Sequence, residues 1–163
     1  MGENSLTIGP CREEELPSLF AIASESFATS WSEEQFRREW SLPLSTILVA
    51  RRGSPSTPVI GYIVYWLIVD ELHIHDIAVH PDKRRQGVAS RLLTAATRQA
   101  LSRAARRATL EVRSTNRPAR QLYEKHGFDV RGIRKGYYSD TGDDALILWA
   151  ELGKTNDDLC GCP

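Results

Sequence analysis

The chain is 163 residues long, with 21 Lys/Arg against 21 Asp/Glu and a formal net charge of zero at pH 7. That length suits one domain around one core, and the longest apolar run, residues 59–69, is too short to cross a bilayer. Residues 1–6 show no basic, apolar leader and no myristoylation pattern. The odd set Cys11, Cys160 and Cys162 argues against a disulfide framework and for a reducing, cytoplasmic setting.

Residues 6–8 read as a short first strand. Apolar residues at Leu16, Leu19, Phe20, Ala23 and Phe27 have helical spacing, so a helix is expected over 13–27. The acidic run Glu13-Glu14-Glu15 suits its N-terminus. Ser32-Glu33-Glu34-Gln35 is a capping box that starts a second helix, and Pro43 ends it. Strands follow over 46–51, 59–69 and 71–79, the first two joined by a loop rich in turn residues, 53–58. A third helix begins near Gly87, with Val88, Leu92, Ala95, Ala96 and Gln99 on one stripe. After a strand at 108–112, Asn116 caps a fourth helix, Pro118 sits in its first turn and Gly127 stops it. Two last strands lie near 130–138 and 144–151, and residues 154–163 read as a flexible tail to a domain of residues 1–153. The order β-α-α-β-β-β-α-β-α-β-β predicts one mixed α/β sheet with helices on both faces.

Charge is unevenly placed. Residues 83–135 hold 15 Lys/Arg and 3 Asp/Glu, and the remainder holds 6 and 18. The middle would attract an anion and the rest a cation. Within the basic segment, residues 77–93 read as a strand, a basic turn and a helix start. Gly87 and Ala89 lack bulk, so a ligand can approach the backbone there. The first N–H groups of the helix have no intrahelical partners, and together with the helix dipole they favour an anion. Arg84 and Arg85 add charge that suits phosphate oxygens. The turn is neither of the two best-known glycine-rich phosphate loops. It reads as a phosphate cradle, with a solvated basic turn as the plain alternative.

Arg85-Gln86-Gly87-Val88-Ala89, with Arg84 ahead of it, resembles the Arg/Gln-x-x-Gly-x-Gly/Ala signature of the GNAT superfamily of acetyl-coenzyme A-dependent N-acetyltransferases. Asn116, Leu122-Tyr123 and Gly127-Phe128 resemble that superfamily's last coenzyme-binding segment. Leu110-Glu111-Val112-Arg113 before Asn116 is most similar to the bacterial ribosomal-protein-alanine N-acetyltransferases, the RimI type, and Trp31-Ser32 and Tyr137-Tyr138 share that likeness. The resemblance implies a GNAT-like α/β (α+β) fold: one mixed, mostly antiparallel sheet of about seven strands, with about four helices on its two faces. It implies that the backbone at Ile77, Ala78 and Val79 holds the acetyl end of the coenzyme, Val79 taking the carbonyl. Arg84, Arg85, Gln86, Gly87, Val88, Ala89 and Ser90 would cradle its pyrophosphate, and Asn116 would contact the pantetheine arm. Glu111 would be the general base and Tyr123 the general acid beside the coenzyme. Trp31, Glu33, Glu34, Tyr137 and Tyr138 would flank the acceptor, an N-terminal alanine of a ribosomal protein in the cytoplasm. No membrane or nucleic-acid partner is expected.

The chemistry makes those roles sensible. An amine must be neutral to attack a thioester, so a carboxylate that accepts its proton helps. The departing thiolate needs a proton, and a tyrosine still carries one at neutral pH. Spacing alone leaves plainer readings open: Tyr123 shares a stripe with Ala119, Leu122 and His126, as a core aromatic would, and Glu111 could face water at a sheet edge. His73 and His75 alternate on one strand with metal-ligand spacing, but no third ligand stands nearby, so no metal is expected. His75 and Asp76 depart from the resemblance, which has an apolar residue and often Asn there. Cys160-Gly161-Cys162 is too isolated to mark a metal site. A small-molecule amine acetyltransferase, and a non-catalytic module that binds acetyl-coenzyme A or RNA, are the competing readings. Sparse aromatics among the basic residues disfavour RNA.

Overall fold

The computed structural model describes residues 5–153; the tail and its two cysteines lie outside them. Along the chain run β1 (Leu6–Pro10), α1 (Leu16–Ser26), α2 (Glu33–Ser41), β2 (Ser45–Arg52), β3 (Val59–Ile68), β4 (Glu71–Val79), α3 (Val88–Ser102), β5 (Arg107–Arg113), α4 (Arg117–Lys125), β6 (Asp129–Arg134) and β7 (Ala145–Glu151). The strands form one sheet in the order β1-β2-β3-β4-β5-β7-β6. All neighbours are antiparallel except β4 and β5, which are parallel because α3 carries the chain back between them. The expected order and layering are therefore those of the folded chain.

Two apolar clusters cover the two faces. Leu16, Leu19, Ile22, Phe36 and Tyr62 are among the residues that fill the side under α1 and α2. Ile63, Tyr65, Leu92, Leu93, Leu110, Val112 and Tyr123 are among those that fill the side under α3 and α4. From Val59 to Tyr65, β3 is buried without a break, which is why its sequence is apolar throughout rather than alternating. Gly61 lets α3 settle on it. A Cβ there would lie 3.1 Å from the Ala78 carbonyl oxygen and from Val88 Cγ1, and 3.3 Å from Leu92 Cδ1.

Three local expectations are corrected. Glu13–Glu15 forms a separate 3-10 turn, and α1 begins at Leu16. Glu15 is buried, and its carboxylate pairs with Arg51 at 2.6 Å and with Arg12 at 2.9 Å, so a long-range ion pair takes it instead of a helix dipole. On α3 the buried residues are Val88, Leu92, Leu93, Ala96 and Ala100 rather than Ala95 and Gln99. Gln99 is exposed, though its side-chain oxygen accepts a bond from the Tyr65 hydroxyl. The strand expected to reach residue 138 ends at Arg134, because Gly136 turns with φ +58° and its N–H donates to the Asp144 carboxylate at 2.8 Å.

Candidate active site

The site follows from a flaw in the sheet. β4 pairs with β3 from Glu71 to Val79, but with β5 only from Glu71↔Arg107 to Ile74↔Leu110. At that level Val64 and Tyr65 of β3 face Asp76 and Ile74, so His75 is the extra residue of a β-bulge. Beyond it the parallel strands part, and a gap opens between residues 75–79 of β4 and 111–113 of β5. His80 N–H donates to the Ile60 carbonyl, toward β3, at 2.8 Å. Backbone groups alternate along a strand, so the Val79 N–H and C=O point into the gap. Arg84 Nε donates to that carbonyl at 3.2 Å. The Val79 N–H is then a donor aimed at whatever enters. The Ala78 side chain packs toward α1 and α2 and that of Val79 toward α3, so their contribution to the gap is backbone.

The turn from β4 to α3 is the expected cradle. Arg85 (φ +58°) and Gly87 (φ +76°) are both left-handed, and α3 starts at Val88 with no side chain capping it. Its first amides are thus directed at solvent beside basic residues, an arrangement that accepts an anion. Two side chains named for the cradle turn elsewhere. Arg84 Nη2 donates to Ser26 Oγ at 3.0 Å, bracing the end of α1, and the Gln86 side-chain oxygen accepts from Arg52. Val88 is buried in the core, and Ser90 Oγ lies 2.8 Å from His126 Nε2, tying α3 to the end of α4. The cradle is therefore mostly backbone, with Arg85 exposed above it. This fits a pyrophosphate, whose oxygens need N–H donors more than a particular side chain.

Around the gap, Tyr123 has its ring buried at 5% exposure against Phe128, 5.8 Å between centroids. Among the described residues Ser45 Oγ is the one sealed polar side-chain atom without a partner. The Tyr123 hydroxyl, which makes no hydrogen bond, therefore keeps contact with open space. Burial, with the nearby charge of Asp76, pushes its phenol well above the ordinary value, so it holds its proton at neutral pH. Glu111 lies on β5 between Leu110 and Val112, which face α3, so its side chain faces the α1/α2 side. Arg134 of β6 pairs with it at 3.2 Å. Asn116 caps α4 through its side-chain oxygen, 3.3 Å from Ala119 N–H, which leaves its amide nitrogen to a ligand.

The expected acceptor residues fall on the α1/α2 side, but not all are open. Trp31, Phe36 and Tyr62 form a ladder of rings, with centroids 5.4 and 5.3 Å apart, that ends where the Tyr62 hydroxyl donates to Asp76 Oδ2 at 2.7 Å. Glu33 is paired with Arg37, whereas Glu34 is exposed. Tyr137 and Tyr138 meet edge to face at 5.2 Å, and the Arg113 guanidinium lies 3.9 Å from the Tyr138 ring centre. Arg113 also binds Asp140 and Asp143, at 3.1 and 3.3 Å, clamping the β6–β7 connection over β5. Sequence reasoning missed Tyr62, Arg113 and Arg134. It marked Asp76 only as a departure. His75 packs at a tilt against Trp66, 4.3 Å between ring centres, and His73 bonds Glu71 at 2.9 Å, and among the described residues no cluster of His, Cys, Asp and Glu could hold a metal ion.

The acetyltransferase (GNAT) family matches residues 16–128. The chain belongs to the GNAT family. A Bacillus subtilis (strain 168) protein, named as a candidate ribosomal protein bS18-alanine N-acetyltransferase, is 35% identical over 88% of this chain and 93% of its own length. The ribosomal protein bS18-alanine N-acetyltransferase of Escherichia coli (strain K12) is 30% identical over 87% of this chain and 95% of its own. The crystal structure of the ribosomal-protein-S18-alanine N-acetyltransferase from Escherichia coli superposes with a TM-score of 0.83 at 27% identity, covering 94% of this chain and 98% of that one. This GNAT protein is thus an N-acetyltransferase with acetyl-coenzyme A as donor.

Proposed function

We propose that this enzyme acetylates the α-amine of a protein N-terminus, with an N-terminal alanine of a small-subunit ribosomal protein as acceptor and the cytoplasm as its place of action. The observation that carries this is the near full-length likeness to enzymes named for that acceptor. The acceptor face agrees with it: Trp31 and the Arg113-clamped Tyr137-Tyr138 flank the gap on the side opposite α3.

In this reading the backbone amides of Gly87 to Ser90 hold the pyrophosphate and Asn116 the pantetheine arm. The Val79 N–H stabilises the oxyanion of the tetrahedral adduct. Glu111 takes a proton from the attacking nitrogen as the C–N bond forms. The C–S bond then breaks, and Tyr123 gives its proton to the departing thiolate. No covalent enzyme intermediate is required, because the thioester is already activated. An α-amine has a reference pKa near 7.7–8.0 against about 10.4 for lysine, so at neutral pH it is neutral roughly 300 times more often. Two peptides test the assignment: one with a free N-terminal Ala and no Lys, one with a blocked N-terminus and a single Lys. Mass spectrometry should find acetyl on the first. Acetylation of the second alone overturns the α-amine reading, and transfer only to polyamines would favour a small-molecule acetyltransferase.

A further inference from the structure

We propose that Asp76 is a second proton-accepting carboxylate of the acceptor site, taking the first proton from the acceptor's ammonium group while Glu111 takes the second during attack. This rests on amine acetylation as the reaction, not on which amine is used.

Proton count makes room for two acceptors. An amine arrives as an ammonium carrying three protons and leaves as an amide carrying one. The nitrogen must lose one proton before its lone pair can attack and another as the C–N bond forms. The thiolate consumes one proton, supplied by Tyr123, which Glu111 can restore. The other proton leaves the site. A single carboxylate would have to discharge between the two steps.

The geometry supplies the second group. Asp76 is the first β4 residue past the bulge, at the level where β4 and β5 part. Its carboxylate accepts from the Tyr62 hydroxyl at 2.7 Å. Tyr62 belongs to the cluster under α1 and α2, so Asp76 opens on the acceptor face. Glu111, facing the same side from β5, stands on the other lip of the gap. The two lips differ. Glu111 has a cation, Arg134, at 3.2 Å. Among the described residues no Lys, Arg or His makes an ion pair with Asp76. The ionisable groups that face it are Tyr62 of β3 and Tyr123 of α4, both neutral phenols, and beyond Tyr62 the α2 neighbour is the apolar Phe36.

Burial raises the Asp76 carboxyl from 3.8 to about 6, against the Tyr62 hydroxyl and the Ile77 N–H, which favour its charged form. A base whose conjugate acid ionises near 6 receives a proton from an α-ammonium far less steeply uphill than one near 4, and still surrenders it to neutral water. The sign is fixed: Asp76 works only when ionised, so turnover should rise with pH through about 6.

The test uses the intact protein and an acceptor panel of a free N-terminal Ala peptide, a blocked Lys peptide and a polyamine, read on whichever acceptor the wild type uses. Asp76→Asn keeps an acceptor for the Tyr62 hydroxyl and removes the charge. Its kcat/KM for the acceptor should fall at least about tenfold at pH 7, and its acid limb near pH 6 should vanish, with coenzyme affinity unchanged. Tyr62→Phe removes a bond that favours the charged carboxylate, so its acid limb should move above that of the wild type. A purely structural role would not shift a pH profile in this ordered way. Wild-type kcat/KM in Asp76→Asn, or an acid limb unmoved in both variants, overturns the proposal. Transfer to the polyamine but not to the Ala peptide overturns the N-terminal reading alone.

Discussion

Replacing Asp76 by Asn should make the protein more stable as it makes the enzyme slower. A carboxyl that ionises near 6 when folded and near 3.8 when unfolded binds its proton more tightly in the folded state. Stability therefore falls as pH rises from about 4 to 6, and the full cost remains above 6. The difference corresponds to about 3 kcal/mol at ~1.36 kcal/mol per pH unit. Access to water through the gap reduces this, so the neutral amide should gain about 1–3 kcal/mol at pH 8. At roughly 2–4 °C per kcal/mol for a chain of this size, the melting temperature should rise by about 2–12 °C. Denaturant or thermal unfolding of both proteins from pH 4 to 8 is the assay. The advantage should shrink toward pH 4, where the wild-type carboxyl is already neutral. A variant no more stable than wild type at pH 8, or one whose gain is the same at every pH, would refute the reasoning.

Other variants test the rest of the site. Tyr123→Phe keeps the ring against Phe128 and should lower kcat by roughly 100-fold, with little change in melting temperature, measured by thiol release. Gly87→Glu forces a side chain onto φ +76° and places a negative charge at the cradle, so calorimetry should show acetyl-coenzyme A binding lost. Glu111→Gln should be impaired at pH 7 and partly recover toward pH 9, where an α-amine is already neutral. Arg113→Ala frees Asp140, Asp143 and Tyr138 together, so the acceptor KM should rise while coenzyme affinity holds. Steady-state kinetics with each substrate varied in turn separates those two effects.

What was legible in the sequence is what short-range chemistry decides. Ser32 accepts from Gln35 N–H, Asn116 from Ala119 N–H, and Gly127 turns at φ +84°, all as their neighbours in sequence require. The turn from β4 into α3 was legible for the same reason, being one contiguous stretch. Glu15 was misread because its partner, Arg51, comes from a strand on the far side of two helices. The charge count implied that acidic residues outside 83–135 would attract a cation, but Asp140 and Asp143 of the β6–β7 connection are closed around Arg113 of the chain itself. Asp76 stood out only as an unusual residue. Its chemistry depends on Tyr62 across the ladder, and on a bulge whose register no local pattern announces.

The short contact between β4 and β5 has a mechanical side. Among the described residues, four residue pairs, with the Asp70 carbonyl accepting from the Arg106 and Arg107 N–H groups just before them, make the backbone seam between the plate formed by β1 to β4 and the plate formed by β5, β7 and β6. A slender molecule lying along the free edge of β4 would act as a splint across that seam. The donor should then protect the fold by mass action, by about 2.7 kcal/mol at one hundred times its dissociation constant. Amide exchange at Glu71 to Ile74 and Arg107 to Leu110 should slow when acetyl-coenzyme A is present. The supply of acetyl donor would in that way govern how long each enzyme molecule survives, as well as how fast it works.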